Sequence, residues 1–183
     1  GVTTKGSGQD IFGNKSTTFT KTDYTLRLGK LITDKVASDT TYADILGNNT
    51  SSHSITTYDY DKTTDPKHWT YKTITTESWT SGTDLYGGNW GSKNDEHLII
   101  VQEYRKVADK NLYVYDYTIK TTKTDPITKD NLFDAAGAVN LNEIAVPSIE
   151  THSEGTDIFG NKTNTTTKTD YILRLGKLIT TGA

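Results

Sequence analysis

The chain is expected to be an all-β protein of antiparallel hairpins, arranged as a sandwich-like or an elongated, stacked unit. Three observations support this. Threonine supplies 35 of the 183 residues and tyrosine 11, and both fit a pleated, half-buried surface while losing rotamer freedom in helices. Period-two alternation recurs, as in Tyr24, Leu26 and Leu28 against Thr25 and Arg27. Gly-Asn, Gly-Gly and Asp-Pro signals then punctuate these runs as turns do.

The first element is duplicated. Gly8–Thr33 reads GQDIFGNKSTTFTKTDYTLRLGKLIT, and Gly155–Thr180 reads GTDIFGNKTNTTTKTDYILRLGKLIT, with 21 of 26 positions identical at a constant offset of 147. Such self-similarity is the mark of repeat architectures. Residues 1–153 therefore read as one repeat unit, and 154–183 as the start of the next, a copy of 7–36. A strand exchanged between units is one way to use such a copy. The expected joint comprises Asp10, Phe12, Tyr24 and Leu26, with their equivalents Asp157, Phe159, Tyr171 and Leu173.

A shorter motif recurs inside the period. Asp10-Ile11-Phe12-Gly13-Asn14 is matched by Asp44-Ile45-Leu46-Gly47-Asn48, Asp84-Leu85-Tyr86-Gly87-Gly88 and Asp157-Ile158-Phe159-Gly160-Asn161. Glycine there supplies positive φ cheaply, and the apolar pair is expected to anchor the turn to a core. The spacings of 34, 40 and 73 residues are unequal, which suggests a decayed subrepeat. After the first turn, Leu31 breaks the alternation beyond Gly29, which predicts a bulge or bend at that glycine.

Two hairpins follow. Ile55–Asp61 pairs with His68–Thr80 around Asp65-Pro66, placing Trp69, Tyr71, Thr73, Thr75, Glu77 and Trp79 on one face. His97–Val107 pairs with Leu112–Thr121 around Asp109-Lys110-Asn111, with Tyr113, Tyr115 and Tyr117 on one face of the second arm. Leu98-Ile99-Ile100-Val101, the most apolar run, is expected to be a central strand buried on both faces. Asp130–Val146 holds the only Ala cluster and admits one short helix near 130–138. Pro147 to Gly155 reads as a junction between repeats.

Composition excludes several classes. With no Cys there are no disulfides or zinc-thiolate sites. With no Met there is no oxidisable thioether, which suits a protein exposed to oxidants, and the start reads as that of a mature or excised segment. A net charge of −3 gives no reason to expect nucleic acid. No apolar run approaches 18 residues, so no membrane span is expected.

The chemistry offers few candidates. His53, His68, His97 and His152 lack the i, i+4 spacing of a zinc helix, and no catalytic constellation stands out, so an enzyme is not expected. Asp59, Asp61 and Asp65 gather carboxylates as a calcium loop does, but without the central Gly and terminal Glu. Calcium is thus the one cofactor considered, against the plainer reading of Asp-stabilised turns. Trp69, Tyr71, Trp79, Tyr86 and Trp90 could stack on sugar rings, although cross-strand aromatic packing explains them as well. Asn14, Asn48, Asn49, Asn161 and Asn164 satisfy the glycosylation sequon, three of them in the repeated turn.

The DIFGNK…TKTDY-x-LRLGKLIT blocks, with stretches such as SITTYDYDKTTD and LYVYDYTIKTTKTD, resemble the repeat regions of bacterial filamentous surface adhesins. These include filamentous-haemagglutinin-like and leukotoxin-type filamentous adhesins. The resemblance implies secretion to the cell surface or beyond, a β-rich elongated shaft, and binding to host or neighbouring cells. The expected function is a structural repeat of an extracellular fibre or adhesin, joined head-to-tail to copies of itself. The alternative is a secreted carbohydrate-binding module that uses the aromatic face on cell-surface glycans.

Overall fold

The computed structural model describes residues 1–63, 69–92, 96–106, 113–123, 127–129, 144–174 and 177–182. Those residues form β1 (Val2–Gln9), β2 (Lys15–Arg27), β3 (Lys30–Ala43), β4 (Asn49–Asp61), β5 (Thr70–Thr83), β6 (Asn89–Ser92), β7 (Leu98–Lys106), β8 (Tyr113–Thr121), β9 (Ile127–Lys129), β10 (Ile144–Thr156), β11 (Lys162–Arg174) and β12 (Lys177–Gly182). The fold is all-β, with no helix among the described residues. The short helix expected near 130–138 and the hairpin loops at 65–66 and 109–111 lie outside the described residues.

The strands pair in the order β1-β2-β3-β4-β5-β6-β10-β11-β12, and a branch runs from β5 through β7 and β8 to β9. Every described register is antiparallel. The sheet does not close into a barrel, because β1 and β12 remain at its edges. The unequal spacings of the turn motif acquire a cause here: the 73-residue step from Asp84 to Asp157 carries the whole branch.

The duplicated text folds twice into the same local structure. β10, β11 and β12 stand at the copy positions of β1, β2 and β3. Even the irregularities repeat. Register slips between Asp23 and Tyr24, leaving Asp34 unmatched, and slips again between Asp170 and Tyr171, leaving Thr181 unmatched. A bulge of this kind raises local twist and re-aims the side chains beyond it.

Three sequence expectations meet the structure at particular residues. Of the bulge or bend expected at Gly29, the chain takes the bend, as a full reversal. It reverses there, with Arg27 opposite Lys30 and positive φ at both Leu28 (45°) and Gly29 (75°). That is the two-residue turn whose twist matches antiparallel strands, so the broken alternation marks a hairpin. The stretch Pro147–Gly155, expected as a junction between repeats, belongs to β10. Leu98–Val101 is flanked by strands on both sides, β5 and β8, yet its residues are only half-buried.

Two compact units divide the chain. The first comprises Gly1–Thr57, Thr76–His97 and His152–Thr166. No large apolar side chain is fully buried in it among the described residues. Hydroxyl pairs hold its strands instead: Thr18 with Thr40 at 3.2 Å, Thr20 with Ser38 at 3.3 Å, and Thr56 with Thr76 at 3.2 Å. Each such cross-strand pair contributes roughly 0.2–1 kcal/mol. The second unit comprises Tyr58–Thr75, Leu98–Thr151 and Thr167–Ala183. It holds the apolar core of Ile119, Ile149 and Tyr171, with Leu98, Ile100 and Tyr117 packed against it.

Candidate functional site

The four Asp-φ-φ-Gly turns all lie in the first unit, and their chemistry is nearly identical. In each, the Asp amide donates to the carbonyl four residues on, and the Gly amide donates back to the Asp carbonyl. The carboxylate locks the loop. Asp10 Oδ1 accepts from the amides of Phe12 (2.9 Å) and Asn14 (3.0 Å), while Oδ2 accepts from Asn14 Nδ2 (2.8 Å). Asp44 and Asp157 do the same with Asn48 and Asn161. The Asn amide beside each carboxylate holds Asp10, Asp44 and Asp157 below the usual carboxylate range, helped by the backbone donors. Asp84 keeps the backbone bonds but faces Gly88, which has no side chain to offer.

The turns also touch one another. Asn14 Oδ1 accepts the Ile45 amide at 3.1 Å, and Asn48 Oδ1 accepts the Leu85 amide at 3.0 Å. The glycines of the first three turns seat the first apolar side chain of the turn that follows. A Cβ placed on Gly13 would lie 3.0 Å from Ile45 Cγ2, one on Gly47 3.3 Å from Leu85 Cδ1, and one on Gly87 3.6 Å from Ile158 Cγ2. The turns thus form a ladder in which the Gly of one rung, joined in the first two rungs by Asn14 and Asn48, holds the first apolar residue of the next.

This corrects the expectation that the apolar pair enters a core. Phe12, Leu46, Tyr86 and Phe159 are 71%, 61%, 71% and 83% exposed. The physical reason is that the loop is already satisfied by its own Asp, so it needs no interior anchor. Of the other expected joint residues, Leu26 is exposed near the β2–β3 turn and Tyr24 partly so, whereas Tyr171 is buried in the core of the second unit. Burial raises the Tyr171 phenol above its ordinary value. Leu173 lies in β11 opposite Leu178.

The aromatic residues divide between the two units. Trp69 and Tyr71 belong to the second unit, where Tyr71 stacks on Tyr60 at 5.1 Å and meets Tyr58 and Tyr104. Trp69 tilts against Tyr60 and lies under Lys62 Nζ. Trp79 belongs to the first unit and is sandwiched by His53 at 5.1 Å and His97 at 4.0 Å. Both of its faces are therefore occupied. The two imidazoles are fixed in turn by Asp39 (2.6 Å) and Glu77 (2.5 Å). Tyr86 projects from its turn, 71% exposed. Trp90 rests on Gly82, where a Cβ would fall 2.4 Å from the ring, and borders a shallow hollow of about 410 Å³ that includes Asn49, Ser51 and Glu154.

Sequence reasoning missed one polar centre. Glu96 is 4% exposed and accepts from the His152 amide at 2.8 Å, with the His152 ring at 3.0 Å. Only pairing across 56 residues brings them together, so no local signal announced it. His68 lies outside the described residues.

Of the sequon residues, Asn14, Asn48 and Asn161 commit their side-chain nitrogens to Asp, and Asn49 donates to the Gly47 carbonyl. Asn164 is exposed on β11. Asp59 caps the Tyr60 amide and Asp61 the Thr63 amide, while Asp65 lies outside the described residues. No group of three or more metal-ligating side chains occurs among the described residues. No helix among them is long and apolar enough to cross a membrane.

The chain matches no protein-family model, no curated protein and no solved structure.

Proposed function

We propose that this protein is a structural repeat, or subunit, of an extracellular β-rich fibre or adhesin, joined head-to-tail to neighbouring copies at a cell surface. The observation that carries the reading is the turn ladder. A rung that receives the next one, through Asn14 and Asn48 on the Ile45 and Leu85 amides and through the glycine seats, is a device for propagation, because a heterologous contact that does not close extends into a filament. The second copy of the block, which regenerates the same turn and strands at the far end of the strand order, supports the same reading. So does the Thr-rich, polar sheet, which tolerates water on its faces. The adhesin resemblance in the repeated text adds secretion and attachment to this proposal.

Negative-stain imaging of the purified protein tests it. Regular filaments, or linear oligomers that lengthen with concentration, are expected. Dispersed single particles at all concentrations would sink the proposal.

One observation favours a second reading. Trp90 is 42% exposed over a hollow with amide, hydroxyl and carboxylate groups at its rim, a setting suited to one sugar ring. Glycan-array binding that disappears in Trp90→Ala would support a carbohydrate-binding module in place of a purely structural role.

A further inference from the structure

Of the three tryptophans, Trp90 alone is exposed, at 42%. It lies on β6, inside the strand order between β5 and β10. The residues directly opposite it are both glycine, Gly82 on β5 and Gly155 on β10. Neither has positive φ, so the backbone does not demand glycine at either place. Glycine inside a strand weakens it and often marks the close approach of another group. At Gly82 that group is Trp90 itself, whose ring lies 2.4 Å from where a Cβ would be. The indole therefore leans towards β5. At Gly155 the nearest atoms to a Cβ are the Asn89 carbonyl oxygen at 3.0 Å and Trp90 Cβ at 3.6 Å, and the ring is not among them. The space over Gly155 stays open as a hollow of about 250 Å³, bordered by Trp90, Ser153, Thr163 and Asp84.

Asp84 is also the one turn aspartate with an oxygen to spare. Asp10, Asp44 and Asp157 each spend Oδ2 on an Asn side chain. Asp84 spends Oδ1 on the amides of Tyr86 and Gly88, and its Oδ2 accepts no hydrogen bond among the described residues. Gly88 stands where the other turns carry Asn, and the carboxylate leans over it: a Cβ there would fall 2.6 Å from Oδ2. Both Asp84 and Gly88 border the hollow, and no Lys, Arg or His does. Aromatic cover of a glycine accounts for Trp90 on Gly82. It does not account for an open slot beside a freed carboxylate oxygen.

We infer that this hollow binds an organic ammonium group, with the carbon next to nitrogen against the indole and the charge towards Asp84 Oδ2. An indole face attracts cations, and a carboxylate strengthens the contact by a charge-assisted bond where the ammonium carries N–H. Two kinds of molecule bring this chemistry. An amino sugar would also use the Ser153 and Thr163 hydroxyls, whereas a quaternary headgroup would use the ring and the charge alone. The site is separate from the hollow on the Asn49 side of Trp90 and does not rest on the fibre reading.

Titration of the whole chain, followed by the amide and indole N–H resonances, tests this at fixed ionic strength. The probes are glucosamine hydrochloride, choline chloride and neutral glucose. The Trp90 indole and the Gly155 amide are expected to shift saturably with one or both ammonium compounds, at dissociation constants in the millimolar range, and not with glucose. Glucosamine alone would assign an amino sugar and choline alone a quaternary headgroup; either result supports the inference. Gly88→Asn restores the side chain that the other three turns carry and gives Oδ2 a partner. It is expected to keep the turn and to weaken binding roughly tenfold. Trp90→Phe keeps a smaller aromatic face and is expected to weaken binding severalfold. An equal response to glucose overturns the ammonium site in favour of a neutral sugar. Unchanged affinity in Gly88→Asn overturns the part given to Asp84 and the inference with it. No saturable shift with any probe overturns the site outright. Filament formation, read by imaging, stands or falls independently of all these outcomes.

Discussion

The two copies of the duplicated block share their backbone and differ in their surroundings. Tyr24 and Tyr171 occupy equivalent places, each just past the same register slip. Tyr24 is 37% exposed, whereas Tyr171 is 8% exposed against Ile119 and Ile149. Turn, strand length and bulge therefore follow from local sequence. Burial follows from what the rest of the chain brings alongside, here Ile119 on β8 and Ile149 on β10.

The largest test of that contrast is truncation. Tyr171→Ala is expected to cost about 3–5 kcal/mol, as loss of a buried aromatic does, and Tyr24→Ala about 1 kcal/mol or less, both read by chemical denaturation. Equal losses would mean that the core of the second unit does not distinguish the copies.

The turn glycines sharpen it at the next scale. Gly13→Ala and Gly160→Ala each force a side chain into positive φ, at about 1–2 kcal/mol. Only Gly13→Ala also drives a methyl against Ile45, so it is expected to be the more damaging of the two in thermal melts of the dispersed protein.

Titration acts on the block at both ends of the pH scale. The Tyr171 phenol is raised by burial from 10.0. The stability it contributes is present below pH 10.0 and lost as pH rises through the folded-state value. Tyr171→Phe should reduce that alkaline loss. The carboxylates act the other way and in both copies alike. Asp10 and Asp157 are lowered from 3.8 by Asn14 and Asn161, so their contribution is present above pH 3.8 and lost as pH falls through the lowered values. Amide exchange at Phe12 and Phe159 is expected to quicken together on acidification. If only one responded, the two turns would not be equivalent.

The smallest effect is expected where the copies differ on the surface. Thr25 donates to Asp34 at 2.5 Å, and the equivalent residues are Ile172 and Thr181. Converting the first copy to the second with Thr25→Ile and Asp34→Thr is expected to change stability by no more than about 0.5 kcal/mol.

The legible part of this fold was local. Asp-φ-φ-Gly named four turns because Asp and Gly each have a specific backbone task there. The pairing of β7 with β8 followed from apolar alternation around a polar loop. Alternation at Leu28 and Leu31 misled, because a two-residue turn and a bulge both disturb it. The inter-turn bonds were not legible: Asn14 reaches Ile45 across 31 residues, and only the finished register says that these two meet. The apolar turn residues misled for a related reason. Hydrophobic residues suggest an interior, but Ile45 and Leu85 lie on glycines of neighbouring turns, at the surface.

The scarcity of buried hydrocarbon has a calorimetric consequence. Only Ile119, Ile149 and Tyr171 are buried hydrophobics among the described residues. Exposed apolar surface is what raises heat capacity on unfolding, while exposed polar surface lowers it. The first unit, held by hydroxyls, amides and carboxylates and with no buried large apolar side chain among its described residues, is therefore expected to unfold with a heat-capacity increment below the usual ~12–15 cal/mol/K per residue. Its stability curve is correspondingly shallow, so that cooling and moderate warming alter the free energy of folding little.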